Sequence, residues 1–203
     1  MKIAIVGASG RAGSRITSEL ARRGHAVTAI ARNPENIAAL LNVTAKQGDV
    51  HDEAGLAALW AGHDAAISSV HFTASDPAKL IGAAKASGVG RYLVVGGAGS
   101  LEVAPGVRLV TTPNFPAQYK AEATKGAEYL DLLRQEKDLN WTFLSPSALF
   151  VDGERTGKFR LGTDQLLTAS DGKSWISFED FAVALADEIE RPAHIRTRFT
   201  VGY

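Results

Sequence analysis

Lys2-Ile3-Ala4-Ile5-Val6-Gly7-Ala8-Ser9-Gly10-Arg11-Ala12-Gly13 follows the first methionine, and the fold turns on how this stretch is read. Five strand-forming residues run into three glycines spaced G-x-x-G-x-x-G, and a helix-like stretch, Arg11–Arg23, begins inside the glycine run. Glycines in that setting let the backbone turn tightly and approach a pyrophosphate closely. The last one lets the helix pack against the sheet. The helix start adds free N–H groups and the positive end of its dipole, both suited to phosphate. Gly7, Ser9, Gly10, Arg11, Ala12 and Gly13 are therefore the expected diphosphate contacts.

Working outward, apolar runs and helix-like stretches alternate along most of the chain. Strands are expected at Lys2–Val6, Ala26–Ala31, Thr44–Gln47, Ala65–Ser69, Tyr92–Val95 and Trp141–Leu144. Helices are expected at Pro34–Leu41, Glu53–Trp60, Pro77–Ser87 and Pro116–Gln135, with Gly24, Gly62 and Gly88 placed as C-terminal caps. Short, nearly continuous apolar strands separated by helices imply an α/β fold, a doubly wound parallel sheet covered on both faces. Right-handed crossovers give the strand order 3-2-1-4-5-6. After Leu144 the rhythm changes. β-like pieces at Lys158–Leu161 and Gln165–Thr168, a helix from about Phe178 to Arg191 and a last run, Arg198–Val201, read as a small C-terminal cap. Residues 1–203 are expected to form one nucleotide-binding domain, with 145–203 as its substrate-side cap.

Bulk properties narrow the partners. The 203 residues carry 22 Lys+Arg against 22 Asp+Glu, so no basic excess points to nucleic acid or an anionic membrane. No apolar run reaches the roughly 18 residues that a membrane-spanning helix needs. The short apolar run before Gly7 is too brief for a signal segment, and a cytoplasmic setting is expected. Cysteine is absent, which removes disulfides and thiolate chemistry, and the five histidines show no metal-ligand spacing. Gly172-Lys173-Ser174 copies the end of a phosphate-binding Walker loop, but Leu167 stands where that loop needs glycine. The expected partner is a small-molecule substrate, with homodimer formation left open.

Ligands on doubly wound sheets bind beyond the carboxyl ends of the strands, and candidate residues follow from that rule. Arg32 ends the second strand, where an NAD site normally places an acid for the ribose 2′-hydroxyl; Glu35 is the first acid nearby. A guanidinium there suits the extra phosphate of NADP, so NADP(H) is favoured over NAD(H). Arg11 is a second candidate cation for the same phosphate or for the pyrophosphate. After the third strand, Asp49 either accepts from the adenine amino group, with the Val50 amide reaching the ring, or caps the following turn. Ser68, Ser69 and Val70 close the fourth strand, where small residues let the backbone lie against the riboses. Gly97 and Ser145 follow the fifth and sixth strands. Gly97–Ser100, Ser145-Pro146, His71-Phe72, Asn114-Phe115 and Tyr119 are the expected lining of the acceptor site.

Gly7-x-x-Gly10-x-x-Gly13, Ala31-Arg32-Asn33-Pro34, Gly48-Asp49-Val50 and Trp141-Thr142-Phe143-Leu144-Ser145-Pro146-Ser147 together resemble the atypical short-chain dehydrogenases. Within them the chain is similar to the NmrA-like and biliverdin-reductase-B-like proteins, especially the small bacterial NADH-flavin reductase group. Ile176-Ser177-Phe178-Glu179-Asp180-Phe181-Ala182 extends the likeness to the closing helix, so it spans nearly the whole chain. The resemblance implies a Rossmann-like fold and a nicotinamide cofactor.

One departure bears on mechanism. Ordinary short-chain dehydrogenases carry Tyr-x-x-x-Lys, which sets phenol and ammonium on one helix face. Here the positions four after Tyr92, Tyr119 and Tyr129 are Gly96, Ala123 and Leu133. Tyr119 and Lys120 are adjacent, about 100° apart around a helix, and remain the nearest candidates for catalytic residues. Without the dyad, alcohol–ketone chemistry loses its proton donor. Hydride transfer to a flavin, used as substrate, or to a quinone asks less, because the acceptor spreads the incoming charge over its own π-system. The expected function is an NADPH-dependent oxidoreductase acting on such an acceptor. The alternatives are a non-catalytic NADP(H)-binding redox sensor of NmrA type and a sugar-nucleotide epimerase relative.

Overall fold

The computed structural model describes residues 1–203. Its elements are β1 (Lys2–Val6), α1 (Arg11–Arg22), β2 (Ala26–Ala31), β3 (Val43–Gln47), α2 (Glu53–Trp60), β4 (Ala65–Ser68), α3 (Pro77–Ser87), β5 (Arg91–Val95), β6 (Glu102–Ala104) and β7 (Val107–Arg108). There follow α4 (Ala117–Leu133), β8 (Trp141–Pro146), β9 (Leu149–Val151), β10 (Arg160–Gly162), β11 (Trp175–Ser177), α5 (Phe178–Glu190) and β12 (Thr197–Gly202). The main sheet runs β10-β12-β8-β5-β4-β1-β2-β3. It is parallel except for β10, which pairs antiparallel with β12. The expected order 3-2-1-4-5-6 is present, with β8 as its sixth strand.

Strand alternation divides the core between the two faces of the sheet. Ile3 and Ile5 face α1 and α5, packing with Ile16, Leu20, Phe181, Leu185 and Phe199. Ala4 and Val6 face α2, α3 and α4, packing with Trp60, Leu80, Tyr92, Tyr129, Leu130 and Phe143. Local signals set the helix ends. Asp76 accepts from the Ala78 N–H ahead of α3, Pro77 opens that helix, and Gly88 closes it in the left-handed region at φ +67°.

The helix expected at Pro34–Leu41 is absent; only a 3-10 turn, Pro34–Asn36, forms there. The segment passes to β3 at the outer edge of the sheet, and of its apolar residues only Ile37 packs on the core while Leu40 and Leu41 are exposed. A helix of eight residues has little stability without a face to bury. The strand expected at Gln165–Thr168 reduces to a single bridge between Glu102 and Gln165.

The tail elements form a cap on the Rossmann-like unit, and part of that cap extends the sheet. β12 lies parallel beside β8, while β9 and β11 make a separate two-stranded sheet. α5 packs along α1, and charges tie the two helices together. Glu19 on α1 is 4% exposed and pairs with Arg22 and Arg23 at 2.7 Å and with Arg155 at 2.8 Å. Arg23 continues to Asp187 (2.8 Å) and Glu190 (2.7 Å) on α5.

Candidate dinucleotide site

The glycine loop lies between the carboxyl end of β1 and the start of α1. Gly7 adopts φ +82°, and a Cβ there would sit 2.0 Å from the Ser69 carbonyl oxygen just beyond β4. A Cβ on Gly13 would lie 2.1 Å from the Gly7 carbonyl, whereas one on Gly10 would come no nearer than 3.3 Å to any atom. The first and last glycines therefore hold the turn closed against β4 and α1. The middle one leaves a bare backbone facing outward. Gly13→Ala is expected to cost at least about 1–3 kcal/mol through overpacking, because the obstructing atom is backbone. A thermal melt that matches the native protein would contradict this packing.

Above the loop the start of α1 is uncompensated. Gly10 supplies no side-chain cap, and the first turn contains no acid. α5 starts at the same edge of the sheet and is filled by its own groups: Ser177 accepts from the Asp180 N–H, and Glu179 and Asp180 occupy the first turn. The first-turn N–H groups of α1, beside the glycine loop, are thus free to meet an anion. A cradle that a Cβ would fill, beside an uncapped helix start, fits the diphosphate of a dinucleotide.

Arg32, at the end of β2, is exposed and makes no ion pair; its carbonyl accepts from the Gln47 side chain at 3.2 Å. Asp49 accepts from the His51 N–H at 2.9 Å and so does cap its turn. Val50 is half-buried against the second core cluster. Ser68 is buried at the end of β4, and the Ser69 N–H donates to the Val6 carbonyl, continuing the sheet to the edge of the loop. Gly97 is half-exposed after β5. Phe72, expected on the lining, is instead buried against Gly97, Gly126, Tyr129 and Phe143 and supports the site from below.

Arg11 is engaged by the cap segment. Its guanidinium pairs with Asp152 and lies 4.9 Å from the Phe178 ring centre. Arg15 joins Asp152 (2.9 Å) to Glu179 (3.1 Å), so these ion pairs fasten the segment after β9 to the start of α1. Ser145 is fully buried, and its hydroxyl receives an Arg198 N–H at 3.4 Å. Arg198, only 2% exposed, also reaches Ser100 and is neutralised by Asp164 at 3.0 Å. Burial pulls its guanidinium below the usual arginine range, with Asp164 opposing.

Tyr119, 61% exposed, and Lys120 lie on the first turn of α4 and form no side-chain hydrogen bond. Where a dyad lysine would follow Tyr119, Ala123 packs against Gly99 so closely that a Cβ on Gly99 would be 2.8 Å from its methyl. One turn after Tyr119, Glu122 reaches back to the loop beyond β4. It accepts from the Phe72 N–H (2.8 Å), the Thr73 N–H (2.9 Å) and the Thr73 hydroxyl (2.7 Å). Burial works against its charge, but these donors and the nearby His71 outweigh burial and hold its carboxyl below the usual range. Glu122, Asp152 and Arg198 were not among the residues singled out from sequence. Each acts through a partner at least 34 positions away, and no local pattern marks such pairs.

Known proteins give the chain a family and a fold. A family model described as NAD(P)H-binding matches residues 7–192, and the chain belongs to that family. The uncharacterized protein YwnB of Bacillus subtilis (strain 168) is 41% identical over 208 residues, covering 99% of this chain and 98% of the relative. Among solved structures, a presumed epimerase from Bacteroides thetaiotaomicron superimposes with a TM-score of 0.95 at 38% identity, covering 100% of this chain and 96% of the other. A presumed NADH-flavin reductase from Streptococcus pneumoniae TIGR4 gives 0.84 at 39% identity, covering 100% and 99%. The protein is an NAD(P)-binding, Rossmann-fold member of the oxidoreductase and epimerase superfamily. None of its helices is long and apolar enough to cross a membrane.

Proposed function

We propose that the protein is an NADPH-dependent oxidoreductase that passes hydride to a small conjugated acceptor, a free flavin or a quinone. The observation that carries the nucleotide half is Arg32: an unpaired guanidinium, with no carboxylate beside it, at the position that reads the adenosine ribose. The first-turn amides of α1 hold the diphosphate, Gly7 and Gly13 keep that cradle shut, and the small residues Ser68, Ser69 and Val70 let the riboses lie close. Bound NADPH supplies the hydride. The loops beyond β4, β5 and β8 orient the acceptor and exclude water from it. Ala123 stands where a lysine partner to Tyr119 would be, which supports an acceptor that carries its own charge over an epimerase-type keto intermediate.

Stopped-flow mixing of the protein and NADPH with FMN, and separately with a quinone, tests the reading through absorbance loss at the nicotinamide band. Turnover with either acceptor, faster with NADPH than with NADH, is expected. Tight NADPH binding without oxidation by these acceptors or by a panel of ketones and aldehydes would assign the chain to the sensor class.

A further inference from the structure

A reductase without the tyrosine–lysine pair still has to protonate its product. Once hydride has reached a flavin or quinone, the acceptor carries one extra negative charge, and full reduction takes up one proton. His71 and Glu122 are placed for this. His71 lies three residues beyond Ser68, the last residue of β4, on the segment whose Ser69 carbonyl closes over Gly7. That puts it beyond the carboxyl edge of the sheet, two residues after the carbonyl that meets Gly7. Its ring is 85% exposed, with Nδ1 turned inward to Glu122 Oε1 at 3.3 Å, so Nε2 is the outward nitrogen.

Glu122 is held from three further directions by Phe72 and Thr73, which makes it a fixed and ionised partner. A carboxylate against Nδ1 selects the tautomer that keeps a proton there. The same arrangement orients the histidine in carboxylate–histidine catalytic pairs. Asp76 on the same segment and Tyr119 and Lys120 on the facing helix form no hydrogen bond or ion pair with His71, so Glu122 is the one charged group in contact with it.

We propose that His71, oriented by Glu122, is the proton donor to the reduced acceptor. This rests on the oxidoreductase reading above. The Nε2–H bond of the imidazolium breaks, its proton joins the anionic oxygen or nitrogen of the acceptor, and the neutral ring recovers a proton from water. The sum is acceptor plus NADPH plus one proton giving reduced acceptor plus NADP⁺. His71 is the catalytic residue in this step and Glu122 a positioning residue.

Two measurements test the pair. Nitrogen-15 NMR of the His71 ring, with no nucleotide present, should show the Nδ1-protonated tautomer in the native protein at high pH and its loss in Glu122→Gln. The Glu122 contacts to Phe72 and Thr73 do not involve His71, so His71→Gln should fold and bind NADPH as the native protein does. Its rate of quinone or flavin reduction should fall on the order of 100-fold. The native rate should decline as pH rises through the midpoint at which NMR sees the His71 ring lose its proton, and His71→Gln should lack that decline. If the native protein turns over and His71→Gln keeps both its rate and its pH profile, the histidine assignment fails and the oxidoreductase reading stands. A tautomer unchanged in Glu122→Gln overturns the role of the carboxylate. No turnover by the native protein removes both readings together.

Discussion

Arg32→Asp is expected to invert nucleotide preference, so that NADH replaces NADPH as the tighter ligand. The native guanidinium is exposed at the end of β2 and has no protein partner to release, so a phosphate can take up its donor fork without breaking an existing ion pair. Charge-assisted contacts of this kind contribute about 1.5–3 kcal/mol, or roughly 10- to 100-fold in affinity. Aspartate adds repulsion toward a 2′-phosphate and offers an acceptor to a free 2′-hydroxyl, so both changes act in the same direction. Thermal melts with each nucleotide read the effect directly, because a ligand that binds only the folded chain raises stability by RT ln(1 + [L]/Kd). Arg32→Gln separates the two contributions: it should erase the preference without reversing it. A native protein stabilised more by NADH than by NADPH would show that Arg32 does not read the phosphate.

Much of this site was legible because its determinants are local. A short, mostly apolar strand, glycines at fixed spacing and the residue ending the next strand all lie within the first 32 positions, and the backbone takes the geometry their types allow. The central strands were legible for the same reason: buried on both faces, they are nearly continuous apolar runs. Legibility failed where tertiary context decides. Pro34–Leu41 has helical periodicity and no surface to pack it on, so it stays irregular. β6, β7, β9 and β11 have three residues or fewer and exist through pairing alone. Arg11 shows the same limit at the level of a side chain. Its place in the loop suggests phosphate, while its observed partner, Asp152, lies 141 positions away. The missing lysine was visible in sequence, but the contact that Ala123 makes with Gly99 in its place was not.

Glu19→Gln should produce a large loss of stability, about 3 kcal/mol. The carboxylate is almost wholly buried yet serves Arg22, Arg23 and Arg155, so one side chain joins α1, its C-terminal turn and the cap segment. Burial is the largest single influence on its ionisation and opposes it. The three guanidinium groups together outweigh burial and hold the carboxyl far below the usual range. Removing one partner of a buried ion pair costs about 3–5 kcal/mol. The low end applies here, because Arg22 and Arg155 are half-exposed and rehydrate, while Arg23 keeps Asp187 and Glu190. About 3 kcal/mol in a chain of this size lowers the melting temperature by roughly 6–12 °C. The pH dependence has a definite sign. A carboxyl whose folded pKa is depressed contributes in full above its unfolded value, about 4.3, and loses that contribution as pH falls toward the folded value. The gap between native and variant melts should therefore be constant from neutral pH down to about pH 5 and narrow below it. A gap that persists undiminished at pH 3 would mean that the glutamate stabilises through its shape and hydrogen bonds, and that its charge contributes little.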